Sequence, residues 1–133
     1  MKKTLLLIIL FITSTYANNI SWYASYDKAL EEAHKQKKNL LIFIASNKTK
    51  KSNKILSKYF LNQNYIDYIN KRFICVLITV EYKTSYPIEL FYTTQFPSVF
   101  FASYKDEAFL TKPIYVFRSE EDFKKVLYSI DYK

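Results

Sequence analysis

The chain has 133 residues, half of them apolar and 19% aromatic, so a packed core is within reach and wholesale disorder is not expected. It carries 20 basic against 12 acidic side chains, a formal charge of +8, and no glycine. The missing glycine excludes P-loop and dinucleotide-binding phosphate loops, which need close backbone approach and positive φ, and a single histidine beside a single cysteine argues against zinc.

The chain opens with Lys2 and Lys3, the apolar run Leu5 to Ile12 and the small-residue end Thr13-Ser14-Thr15-Tyr16-Ala17, the pattern of a secretory signal peptide over 1–17. Thr15 and Ala17 fit a cleavage site, which makes Asn18 the first mature residue and 18–133 one domain. The run is shorter than the roughly 20 apolar residues a span requires, and no cysteine follows it for lipid attachment. An uncleaved anchor is the rival reading. The expected location is the periplasm or the cell exterior, with no integral membrane span after cleavage. Such compartments tolerate disulfides, yet Cys75 stands alone, so any bridge must be to another molecule.

After a lead containing Ile20 and Trp22, Ser25 is placed to cap a helix running to about Lys38. Tyr26, Ala29, Leu30 and Ala33 share one face, with acids early and lysines late, as the helix dipole favours. Leu40 to Ala45 is a continuous apolar run, the pattern of a strand buried on both faces. Ile55, Leu56, Tyr59 and Phe60 follow at helical spacing, and Asn62 restarts a helix carrying Tyr65, Ile66 and Ile69. Phe73 to Val80 is a second buried strand, and strand–helix–strand implies a right-handed crossover between parallel partners.

Pro87 suits the first turn of a short helix over about Ile88 to Thr93. Pro97 opens a third strand, Ser98 to Ala102, and Lys105 to Ala108 turns into a fourth near Phe109 and Leu110 or around Ile114 to Phe117. Ser119 with Asp122 forms a capping box for a last helix whose Phe123, Val126, Leu127 and Ile130 share a face. The order α-β-α-β-α-β-β-α predicts an α/β fold, with one mixed sheet of about four strands and helices on both faces.

That order, with a proline opening the third strand, resembles the thioredoxin fold, in particular exported thioredoxin-like proteins. The matching pieces are Ser21-Trp22, Ala29 to Ala33, Lys38 to Phe43, Tyr59 to Asn70, Phe73 to Val76, Phe96-Pro97 to Phe101, and Ser119 to Phe123. The resemblance implies a cis bond at Pro97. It also locates a departure: where redox members carry Trp-Cys-x-x-Cys, this chain has Lys48-Thr49-Lys50-Lys51-Ser52. Thr49 stands for the attacking cysteine and Ser52 for the resolving one. A hydroxyl is not brought to neutral pKa by a helix dipole, and oxygen forms no mixed disulfide. Dithiol oxidoreductase or isomerase catalysis is thereby excluded, and no cofactor is expected.

The sequence then offers a non-catalytic protein- or peptide-binding module, working through Lys48 to Ser52 and an edge at Phe96 and Pro97, with a protein or peptide partner that includes acidic ones. Two alternatives stay open. One is thiol chemistry through the lone Cys75 or a partner's cysteines, against which stand apolar neighbours that suggest a buried thiol. The other is a basic protein of the envelope surface, against which stands a solvated lysine-rich exterior. Lys48, Lys50, Lys51 and Lys54 also gather at a helix start, where an anion is welcome. His34 is an isolated histidine with no nucleophile assigned to it, so hydrolase chemistry is unsupported. Nucleic acid is a poor partner for an exported chain, and the oligomeric state is not fixed.

Overall fold

The computed structural model describes residues 19–82 and 86–130; the expected signal segment and its cleavage point lie outside them. The lead forms a two-residue strand, β1 (Trp22–Tyr23). The Asn70 carboxamide fastens it, accepting from the Ser21 N–H at 3.1 Å and donating to the Asn19 carbonyl at 2.9 Å. Ser25 caps α1 (Tyr26–Gln36), its hydroxyl accepting from the Lys28 N–H. The helix ends a little before the expected Lys38 because Lys37 turns left-handed, φ 55°, and the Lys38 N–H closes on the Ala33 carbonyl at 3.1 Å. Glycine usually takes that position. Here a lysine does, at a cost of roughly 1 kcal/mol.

β2 (Asn39–Ala45) leads into α2 (Lys51–Ile55), a π-helical turn (Leu56–Phe60), α3 (Gln63–Arg72) and β3 (Phe73–Thr79). β2 and β3 are parallel throughout, from Asn39 beside Phe73 to Ala45 beside Thr79. β4 (Ser98–Ala102) runs antiparallel to β2, and β1 adds in parallel to the outside of β3, giving the order β1-β3-β2-β4. Leu40 to Ile44 are wholly buried because their strand is central and covered on both faces.

Alternation sorts the side chains. Leu40, Ile42, Ile44, Ile74, Val76 and Phe100 face α1, whose Ala29 and Ala33 permit close approach. Leu41, Phe43, Cys75 and Phe101 face the opposite layer of α3, the π turn and α4 (Glu120–Ile130). Phe123 centres that layer, its ring 4.9 Å from those of Tyr59 and Phe117 and 5.1 Å from that of Tyr65. The π turn, closed by the Leu61 N–H on the Leu56 carbonyl, widens the helix so that neighbouring Tyr59 and Phe60 both point inward.

Three expectations need correction. No helix forms over 88–93: Pro87 begins a single turn, with the Leu90 and Phe91 N–H groups on its carbonyl, because Phe91 is drawn into the core against Tyr26 and Phe100. Nor is there a continuous strand after β4. Phe109 pairs with Ala102 and Ile114 with Val99 as isolated bridges. Residues 110–113 therefore lie opposite only 100–101, and Pro113 among them has no N–H to give. The fourth strand is instead β1. At α4 the capping box is shifted by one residue: Ser119 accepts from the Asp122 N–H, and the Asp122 carboxylate accepts from Arg118 rather than Ser119.

Candidate functional site

Parallel pairing brings the ends of β2 and β3 to one edge of the sheet, where the Val80 N–H donates to the Ala45 carbonyl at 3.0 Å. β4 is antiparallel, so it begins at this same edge, with Ser98 beside Ile44 and Pro97 just beyond. Three segments thus converge: the 46–52 loop, Val80–Glu81 and Phe96–Pro97. In open α/β sheets this carboxyl end of the parallel strands is where ligands settle.

A carboxylate organises the loop. One Glu81 oxygen accepts from the Ser46 hydroxyl, and the other accepts from the Asn47 N–H at 3.0 Å. The Lys48 N–H donates to Ser46 Oγ at 3.2 Å, and the Ser46 N–H donates to Ser52 Oγ at 3.2 Å. The Ser46 hydroxyl and then the Asn47 N–H hold the Glu81 carboxyl below the usual carboxylate range. Neither Ser46 nor Glu81 stood out in the sequence. The signal was register: β2 and β3 pair at an offset of 34, and Glu81 lies the same 34 residues beyond Asn47.

The sequence-derived site residues separate on burial. Lys48, Thr49, Lys50 and Lys51 are exposed, whereas Ser52 is only 2% exposed and serves the loop backbone. The two hydroxyls expected to replace the cysteines are thus unequal: Thr49 is exposed, and Ser52 is buried and bonded to the loop backbone. α2 starts at Lys50–Lys51 without a side-chain cap. None of Lys48, Lys50, Lys51 and Lys54 makes an ion pair among the described residues. The anion at this end is supplied from within, by Glu81, and it binds loop donors rather than lysines.

Phe96 is half-buried and Pro97 buried, and the peptide bond between them is cis. Hydroxyls shape the approach: Thr93 Oγ1 lies 2.7 Å from Ser98 Oγ and accepts from the Gln95 N–H at 3.1 Å. Tyr92, next to Thr93, is 69% exposed, and Ile88 is also open to solvent. Cys75 does not join the site. It lies inside β3, level with Trp22 and Leu41, at 2% exposure. Burial pushes its thiol well up, opposed only in part by Lys38, so it stays protonated. His34 is exposed near the end of α1 that feeds the start of β2, the edge of the sheet away from the loop. Among the described residues no group of His, Cys, Asp and Glu is arranged to hold a metal, and no helix is long and apolar enough to cross a membrane.

Comparison with known proteins gives three findings. The profile of a family described as thioredoxin-like matches residues 21–103. A solved thioredoxin from Thermus thermophilus superposes with a TM-score of 0.72 at 16% identity, covering 85% of this chain and 88% of that one. A structure titled DsbH oxidoreductase superposes at 0.70, also 16% identical, covering 88% of each chain. At such identities the likeness carries the fold. No curated protein matches the sequence.

Proposed function

The chain belongs to the thioredoxin-like family, and from that premise we propose that it is an exported, non-catalytic module that binds extended polypeptide at the edge made by the 46–52 loop and Phe96–Pro97. The observation that carries the reading is the convergence of these segments around a loop pinned by Glu81, with Thr49 outward and no sulfur within it. The loop is held, so it offers a fixed surface, and it has no group able to exchange electrons. Four exposed lysines, Lys48, Lys50, Lys51 and Lys54, favour acidic segments, and the exposed Tyr92 ring offers an apolar contact. Export rests on the Lys2–Lys3 and Leu5–Ile12 pattern, with cleavage after Ala17 and one domain over 18–133. The alternative of a reactive Cys75 loses ground to its burial.

The test is photocrosslinking to a permanently unfolded, carboxymethylated acidic polypeptide. Wild type is expected to capture it and a Lys50→Glu/Pro97→Ala variant to lose most of the yield. An equal yield from both removes this site from consideration.

A further inference from the structure

The loop that forms half of the binding edge is tied at two points, and the two ties differ in chemistry. On its inner side the Ser46 N–H donates to the buried Ser52 hydroxyl at 3.2 Å. On its outer side the tie comes from beyond β3. Glu81 reaches back with both carboxylate oxygens, one to the Ser46 hydroxyl and the other to the Asn47 N–H at 3.0 Å. Ser46 Oγ in turn accepts from the Lys48 N–H at 3.2 Å, so this clasp bears on three successive residues. The inner tie holds no group that titrates. The outer one does.

An ionised carboxylate accepts on both oxygens, which suits two donors. Protonation removes that charge. The Asn47 N–H then meets a neutral carboxyl, and the Ser46 hydroxyl must turn from an oxygen that carries its own hydrogen. Charge-assisted bonds are about twice as strong as neutral ones, so the clasp weakens. The groups facing Glu81 from the loop are the Ser46 hydroxyl, the Asn47 N–H and the exposed Lys48. Phe96 and Pro97 of the third segment bring no charge, and its own neighbour Tyr82 is exposed. The Ser46 hydroxyl first and then the Asn47 N–H hold Glu81 down, and no ammonium group of the described lysines is among the causes. Two other carboxylates serve elements elsewhere: Glu107 accepts from the Tyr26 hydroxyl of α1 at 2.5 Å, and Glu120 from that of Tyr65 in α3.

We propose that the Glu81 clasp is an acid-sensitive latch on the edge, firm while Glu81 is ionised and loose once it is protonated. It rests on the polypeptide-binding function proposed above and adds the regulation of that site. An ionised Glu81 holds residues 46–48 in one arrangement, so a polypeptide meets an ordered wall. A loosened loop must be ordered on binding, which costs affinity. Because Glu81 titrates below its ordinary value, the latch is closed above that value and opens as pH falls through the lowered one. By reciprocity, a bound polypeptide lowers the pH at which the latch opens.

The probe is a synthetic unfolded polypeptide whose only acidic groups are cysteic-acid sulfonates, which stay ionised throughout. Its affinity for the full chain is measured from neutrality to about pH 3, with the Asn47 amide followed by NMR and the Lys38 and Asn39 amides reporting that the chain stays folded. Wild type should bind at neutrality and weaken about fivefold or more in acid. Glu81→Gln should bind at the weakened level at every pH, and the polypeptide should move the Asn47 titration of wild type to lower pH. Failure of wild type to bind at neutrality ends the binding function and the latch with it. Equal affinity of wild type and Glu81→Gln at neutrality, or the same loss in both on acidification, overturns the latch and leaves the binding function standing.

Discussion

The two edges of the sheet are finished in different ways, one by a loop and the other by two helix ends. At the carboxyl edge, an offset of 34 carries Glu81 to Asn47, so the loop's donors meet a carboxylate from their own chain. At the amino edge, the ends of α1 and α3 bring Lys37, Lys38, Lys71 and Arg72 around one cavity, with no carboxylate among the described residues that line it. One edge is tied by an acid of its own chain; the other gathers basic side chains at the ends of two helices. The lesson is that a count of lysines does not say what each of them faces. The loop is also lysine-rich, yet the acid that follows its strand binds the Ser46 hydroxyl and the Asn47 N–H, not the lysines.

The sharpest way to break the comparison is to remove the frame both edges share. Phe123→Ala empties the centre of an aromatic cluster at zero exposure, and it should cost about 3–5 kcal/mol in denaturant unfolding. Ser52→Ala acts at one edge only. It orphans the buried Ser46 N–H and should cost about 1–3 kcal/mol, with amide exchange accelerated at 46–48 and unchanged at Lys38 and Asn39. Reaction of Cys75 with a thiol reagent should require denaturant, because the thiol is buried and protonated; prompt labelling of the native chain would mean the sheet is open between the edges. The smallest effect is on pH. Glu81 is depressed below its ordinary value of 4.5, so the stabilisation it gives the loop is present above that value and is lost as pH falls through the lowered one. The Asn47 amide should titrate in that acid range, and Glu81→Gln should abolish the titration.

Much of the fold was legible because long apolar runs and capping residues act locally. Leu40 to Ala45 and Phe73 to Val80 announce buried strands, the second observed to end at Thr79, and Ser25 and Asn62 do cap helices. The errors lie where a distant contact overrides a local preference. Phe91 leaves its helical pattern because the core beside Tyr26 has room for its ring. Pro113 interrupts a ladder that alternation alone would have continued. Trp22–Tyr23 is too short to read as a strand and becomes one only because β3 offers an edge. The candidate edge was foreseen in part. Its loop and proline followed from order along the chain, whereas Ser46 and Glu81 depend on strand register, which periodicity does not supply.

The central claim is that the loop edge holds polypeptide. Its most direct test is an amide-shift map of the full chain titrated with an unfolded acidic peptide. The account predicts shifts at 46–52, Phe96 and Ser98, with Lys38, Asn39 and Phe73 still. Shifts confined to the second set, or none in the first, would contradict it.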